Sequence, residues 1–207
     1  MEKKKNDFIA QGSILAIASI LVRVMGMIYR IPMTAIIGDK GNGFYSYAYS
    51  VYTILLLLSS YSLPLAVSKM VSAKAQLGQW RNVKRVFICA IAFAIGIGTT
   101  FGLIVLIGAQ FFTRVFFHSE LAAIALRFMA PTILIMALLG VFRGFFQGLQ
   151  NTLPTAVSQI VEGLINAIMS VVFAYFLFDF GNGMDVASGT TDLGYAWGAA
   201  GGAIGTG

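Results

Sequence analysis

An all-α polytopic membrane helix bundle, with five complete spans and a truncated sixth, is the fold class this sequence predicts, and three observations predict it. Of its 207 residues 58% are hydrophobic and only 11% are charged, against about a quarter charged in soluble domains. Apolar stretches of the roughly 20 residues needed to cross a hydrocarbon core recur along the chain. The segments between them alternate between basic and acidic. So few charges could not cover a water-facing surface, whereas a lipid-facing surface needs none.

The remaining composition excludes several classes. A net charge of +6 and a pI near 9.6 raise the question of nucleic acid. The basic residues sit between apolar runs rather than in a stripe, so no nucleic-acid partner is expected. Cys89 and His118 are the single residues of their types. They form no internal disulfide and no metal site. Cys89 reads as a buried small hydrophobe and His118 as a solvated residue of a connection. Lys3, Lys4 and Lys5 before an apolar stretch resemble a signal peptide, but the run continues and further spans follow. It reads as a retained first helix. No Ser/His/Asp set, carboxylate pair or ATP-binding loop appears, so neither an enzyme nor a cofactor is expected.

The spans are expected at about residues 8–37, 44–68, 86–110, 121–147, 154–178 and 193–207, the last incomplete. Turn-rich segments separate them: Gly38-Asp39-Lys40-Gly41-Asn42-Gly43, Asn151-Thr152-Leu153-Pro154, and a stretch containing Gly181-Asn182-Gly183. The glycine-rich end, Trp197 to Gly207, is too short to finish a span and suggests a piece of a longer protein. No strand precedes those glycines, which argues against a nucleotide loop. Lys69, Lys74, Arg81, Lys84 and Arg85 occupy the second connection without an acid; Asp179, Asp185 and Asp192 occupy the last without a base. Lys and Arg accumulate in the cytoplasm, so the N-terminus and the 69–85 segment are expected inside and 179–192 outside.

Arg23 and Arg30 stand out. Seven residues apart, they share one face of the first helix. Counting about 1.5 Å per residue from near residue 10, Arg23 lies about 20 Å deep. A charge there costs at least about 2.5–3.5 kcal/mol, so it should face a partner or a watery cavity. Arg30 lies nearer the outer boundary. Gly26 and Pro32 could bend the helix and open such a cavity. Guanidinium keeps its charge and matches phosphate in a fork, which suits a lipid diphosphate. In the fifth span Gln159, Glu162 and Asn166 share a face. Glu162 either pairs with an arginine, holds a proton or lines a path, or it is hydrated near the interface. Arg127 and Arg143 read as interfacial. Gly140, Gly144 and Gly148, and more weakly Gly98 and Gly102, read as helix-packing faces. Tyr45, Tyr47, Tyr49 and Tyr52 read as an aromatic belt, and Tyr61 with Ser59, Ser60 and Ser62 as a polar path.

Several stretches together resemble a known family: Arg23-Val24-Met25-Gly26-Met27-Ile28-Tyr29-Arg30-Ile31-Pro32, Ile37-Gly38-Asp39-Lys40-Gly41, Ser62-Leu63-Pro64-Leu65-Ala66-Val67-Ser68-Lys69, Phe142-Arg143-Gly144-Phe145-Phe146-Gln147-Gly148, and Pro154-Thr155-Ala156-Val157-Ser158-Gln159-Ile160-Val161-Glu162. This order resembles the stage V sporulation protein B-like polysaccharide biosynthesis proteins of the multidrug/oligosaccharidyl-lipid/polysaccharide flippase superfamily, which are related to the lipid II flippases. The resemblance implies a bacterial plasma-membrane protein of two helix bundles around a central cavity, with this chain as the N-terminal bundle and a C-terminal bundle as its partner. It implies an undecaprenyl-diphosphate-linked saccharide as cargo, held at Arg23 and Arg30 and moved to the outer leaflet by alternating access, its tail in membrane lipid. The lipid II branch also carries an arginine in the second helix; here Leu58-Ser59-Ser60-Tyr61-Ser62 has no base. Two other readings compete, a cation-coupled multidrug exporter, which Glu162 would serve, and a non-transporting scaffold that uses the glycine faces.

Overall fold

A computed structural model describes residues 2–60, 62–189 and 191–205, with side chains from Gly12 onward except those of Ser60 and Ser188. The described residues form six helices and no strand: α1 (Glu2–Ser60), α2 (Leu63–Gln76), α3 (Trp80–Phe117), α4 (Ala122–Gly148), α5 (Leu153–Ser188) and α6 (Leu193–Gly205). Four stretches are long and apolar enough to cross a membrane, Gly12–Gln76, Trp80–Phe117, Ala122–Gly148 and Leu153–Ala187. The first of these contains two arms and α2.

The six-residue turn expected at 38–43 shrinks to one residue. Helix α1 is continuous except at Gly38, whose φ of 64° and ψ of −176° are non-helical. That combination is open to glycine and strongly disfavoured for any side chain. Gly41 and Gly43 stay helical, so the reversal rests on Gly38. Gly26 and Pro32, the residues expected to bend the first arm, both keep helical backbone angles. Gly38→Ala is expected to cost about 1–3 kcal/mol, read as a lower unfolding temperature of the purified full-length protein. Gly43→Ala, where an added methyl meets nothing within 4 Å, serves as the control.

The second expected span, 44–68, is divided rather than continuous. The second arm of α1 ends at Ser60, and α2 begins at Leu63 with Pro64 in its first turn. Proline is tolerated there because its missing N–H would have had no helical acceptor. Helix α2 then absorbs much of the expected 69–85 connection, leaving Leu77, Gly78 (φ 68°) and Gln79 between helices.

Helix α4 is the centre of the bundle. Half of its most apolar stretch is buried, against 17% or less in the other three. Apart from Arg127, Arg143 and Gln147 it is built of apolar residues, with Thr132 buried among them, as suits an enclosed helix. Its glycines let neighbours approach. A methyl group on Gly144 would lie 2.5 Å from the Pro64 carbonyl oxygen, and one on Gly148 2.7 Å from that of Ser68. On α3, Gly98 and Gly102 meet Leu134 and Ala130 of α4 in the same way. In lipid, close van der Waals packing of this kind replaces the hydrophobic drive between helices. One buried cluster joins α1, α3, α4, α5 and α6 through Met33, Ile37, Val105, Met129, Ala174 and Ala200. A second joins α2, α3 and α4 through Val67, Val71, Val83, Ala137 and Val141. Cys89 is exposed on α3, not buried as expected; an apolar run with lipid on one side has no need to turn its thiol inward.

Helix α5 runs through Gly181-Asn182-Gly183 to Ser188, so the expected connection there shortens to residues 189–192. Tertiary packing explains the override. A methyl on Gly181 would sit 2.8 Å from the Gly194 Cα, so the glycine lets α6 cross at backbone distance. Asp185 then accepts hydrogen bonds from the Leu193 and Gly194 N–H groups, 3.1 and 2.8 Å. Its carboxylate thereby caps the positive end of α6. Lys40 and Asp192 form an exposed ion pair at 2.9 Å, worth little by itself, which puts the Gly38 turn and the 189–192 connection on one face of the bundle. The α2–α3 and α4–α5 connections meet on the opposite face, where Trp80, Gln76 and Gln150 line a common hollow. That second face carries Lys74, Arg81, Lys84 and Arg85. Helix α6 has 13 described residues, too few to cross a bilayer.

Candidate functional site

A cavity of about 750 Å³ lies between the two arms of α1, α4 and α5. The first arm contributes Arg23 and Arg30, whose seven-residue spacing, a rise of about 10 Å along the axis, puts both on its wall. The second arm contributes Tyr45, Ser46, Tyr49 and Ser50, two i,i+4 pairs on one face. Glu162 and Asn166 reach in from α5, again four apart, and Met136 from α4. The structure thus brings together four of the five residues singled out from the sequence. Gln159 is the exception. It does not line the cavity, and its side-chain oxygen is buried without a hydrogen-bond partner among the described residues.

Electrostatics divide the cavity into two zones. Arg23 and Arg30 are exposed and have no ion-pair partner among the described residues. Glu162 is committed elsewhere, to the Arg143 Nη2, while Arg143 Nε donates to Ser158 Oγ at 3.3 Å. Arg143, expected to be interfacial, is thus tied into the bundle. Its side chain is only 18% exposed and spans from α4 to α5. Arg127 is exposed and 3.4 Å from the Gln110 side-chain oxygen. On α5 the Asn166 oxygen accepts from Ser170 Oγ at 2.9 Å, which leaves its amide N–H donors without a partner among the described residues. With Glu162 neutralised, the free charge of the lining is that of two guanidinium groups. Such a wall attracts an anion, and phosphate matches its forked donors best.

The tyrosines of the second arm are expected in an aromatic belt. Tyr45 and Tyr52 are instead buried at 7% and 2% exposure. The rings of Tyr45 and Tyr49 stack, their centroids 5.8 Å apart. Tyr47 and Tyr52 do not line the cavity, and Tyr47 stacks on Phe117. The i,i+4 repeat of Tyr45/Tyr49 beside Ser46/Ser50 was the available signal. The polar path expected near Tyr61 does not form from its described members. Ser59 is buried and donates to the Leu56 carbonyl at 3.3 Å, and Ser62 precedes α2 on the exterior. Ser60 and Tyr61 lie outside the described side chains.

Comparison with known proteins gives this cavity a context. The polysaccharide biosynthesis protein family model matches residues 8–184. The chain is 26% identical over 200 residues to the lipid II flippase MurJ of Bacillus subtilis (strain 168), covering 92% of this chain and 37% of that protein. It is 26% identical over 174 residues to the stage V sporulation protein B of the same organism, covering 84% and 34%. An uncharacterized membrane protein, YabM, matches at 26% over 174 residues, 84% and 32%. The chain thus spans about a third of the length of the curated relatives it matches. No solved structure gives a match of comparable significance. A multi-pass helical chain whose family match runs from the first arm of α1 through most of α5 belongs to the polysaccharide biosynthesis protein family, and is a relative of the flippases of the multidrug/oligosaccharidyl-lipid/polysaccharide superfamily.

Proposed function

We propose that this chain forms the first bundle of a flippase that carries a diphosphate-linked saccharide lipid across the bacterial plasma membrane for envelope biosynthesis. Arg23 and Arg30 hold the diphosphate inside the cavity while the polyprenyl tail stays in lipid. A second bundle of the same protein closes the open side, and rocking of the two bundles carries the headgroup across. The N-terminus and the basic face lie in the cytoplasm, following the distribution of Lys and Arg.

The observation that carries this reading is the pair of unneutralised guanidinium groups on one cavity wall, beside a carboxylate already engaged by Arg143. The same observation weighs against a cation-coupled drug exporter, whose cargo would need Glu162 free. A scaffold would not need Arg23 at all. The test uses the full-length protein in cells. Arg23→Gln is expected to lower arrival of the lipid-linked saccharide at the outer leaflet about ten- to a hundredfold at unchanged membrane abundance, the loss of one charged hydrogen-bonding group of about 1.5–3 kcal/mol. Unchanged arrival would remove the diphosphate site and favour the scaffold.

A further inference from the structure

The second arm of α1 presents a wall quite unlike the arginine wall opposite. Tyr49 is 43% exposed, and the Ser46 and Tyr49 hydroxyls make no hydrogen bond among the described residues. Ser50 has spent its proton on the Ser46 carbonyl at 2.8 Å and can only accept. Across the cavity stand the free amide donors of Asn166. A diphosphate, already an acceptor at every oxygen, needs the arginines and has no use for aromatic rings. A pyranose ring has the complementary chemistry. Its C–H face carries slight positive charge and packs against the negative face of an aromatic ring. Its rim of hydroxyls both donates and accepts, as the mixed tyrosine, serine and asparagine groups require.

Building on the diphosphate reading above, we propose that this tyrosine-and-serine wall is a saccharide subsite, with the Tyr49 ring as the platform for the sugar next to the diphosphate. The cavity then reads its cargo in two parts, charge on one arm and sugar on the other. Tyr49 is the member to test, because Tyr45 is buried and its replacement would leave a hole.

The experiment measures binding of two probes to the full-length protein in nanodiscs: a polyprenyl-diphosphate-linked disaccharide, and the same polyprenyl diphosphate without sugar. Tyr49→Leu is expected to weaken the first by about five- to tenfold, the size of one good aromatic contact, and to leave the second within about twofold. Tyr49→Phe, which keeps the ring, is expected to retain most of the disaccharide affinity. Equal losses on both probes, or no loss on either, would overturn the subsite. Arg23→Gln, run alongside, is expected to weaken both probes. If it weakens neither, the diphosphate reading fails on its own, while the contrast between probes at Tyr49 still decides whether a sugar binds.

Discussion

Arg143→Ala is expected to destabilise the full-length protein by about 3 kcal/mol, seen as a lower unfolding temperature in detergent and lower membrane abundance. Removing one partner of a buried ion pair costs about 3–5 kcal/mol because the other charge is left without a counter-ion. Glu162 is 28% exposed toward the cavity, and the water there softens the loss, which favours the lower end. Glu162→Gln strands Arg143 instead and is expected to act similarly on stability. The two variants differ in function. Losing Arg143 leaves an uncompensated carboxylate beside Arg23 and Arg30, which repels an anion. Losing Glu162 adds a third free guanidinium, which favours anion binding and slows release. Exchanging the pair, Arg143→Glu with Glu162→Arg, is expected to recover a large part of the stability. Coupling between contacting residues runs to about 0.5–3 kcal/mol. An exchange variant no more stable than the single variants would mean that the pair contributes packing, not charge.

That pair also marks where sequence reasoning stopped. The two residues are 19 positions apart on different helices, and their meeting depends on how α4 and α5 rotate about their axes. Each helix read alone supplies only depth, so Arg143 near a helix end looked interfacial. Arg23 and Arg30 were legible because seven residues on one helix fix a shared face without any partner. Glu162 and Asn166 followed the same rule, and Gln159, three residues earlier, did not reach the cavity wall. The helix ends were harder. A glycine run predicts a turn when only local cost is counted, about 1 kcal/mol for each glycine in a helix. At Gly181 close contact with α6 offsets that cost and the helix continues. At Gly38 the chain needs a backbone angle that other residues avoid, and one glycine does what six residues were expected to do. The break between α1 and α2 had a local sign in Ser59-Ser60-Tyr61-Ser62 followed by Pro64, but serines in an apolar run suit a polar path as well as a helix end.

Gly144→Leu is expected to rival the loss of Arg143, at about 3 kcal/mol. A methyl group alone at this position would stand 2.5 Å from the Pro64 carbonyl oxygen and 2.9 Å from its Cα. Both are backbone atoms, so no side-chain rotation relieves the contact and α2 itself must move away from α4. Overfilled packing of this kind costs about 1–3 kcal/mol, and more when the backbone is displaced. The displacement opens the cluster of Leu63, Val67, Val71 and Val141, so contacts are lost as well as strained. Gly144→Ala already meets the clash and is expected to show most of the effect. Gly96→Leu is the matched control: it changes the same atoms in a helix where an added methyl meets nothing within 4 Å, and it is expected to stay within about 0.5 kcal/mol. Unfolding temperatures of the three variants test the claim directly. Because α2 follows the second arm of α1 after two residues, its displacement also pulls on the wall that carries Tyr49 and Ser50. Gly144→Ala is therefore expected to reduce transport beyond what its lower abundance explains, and strict proportionality between transport and abundance would confine α2 to a packing role.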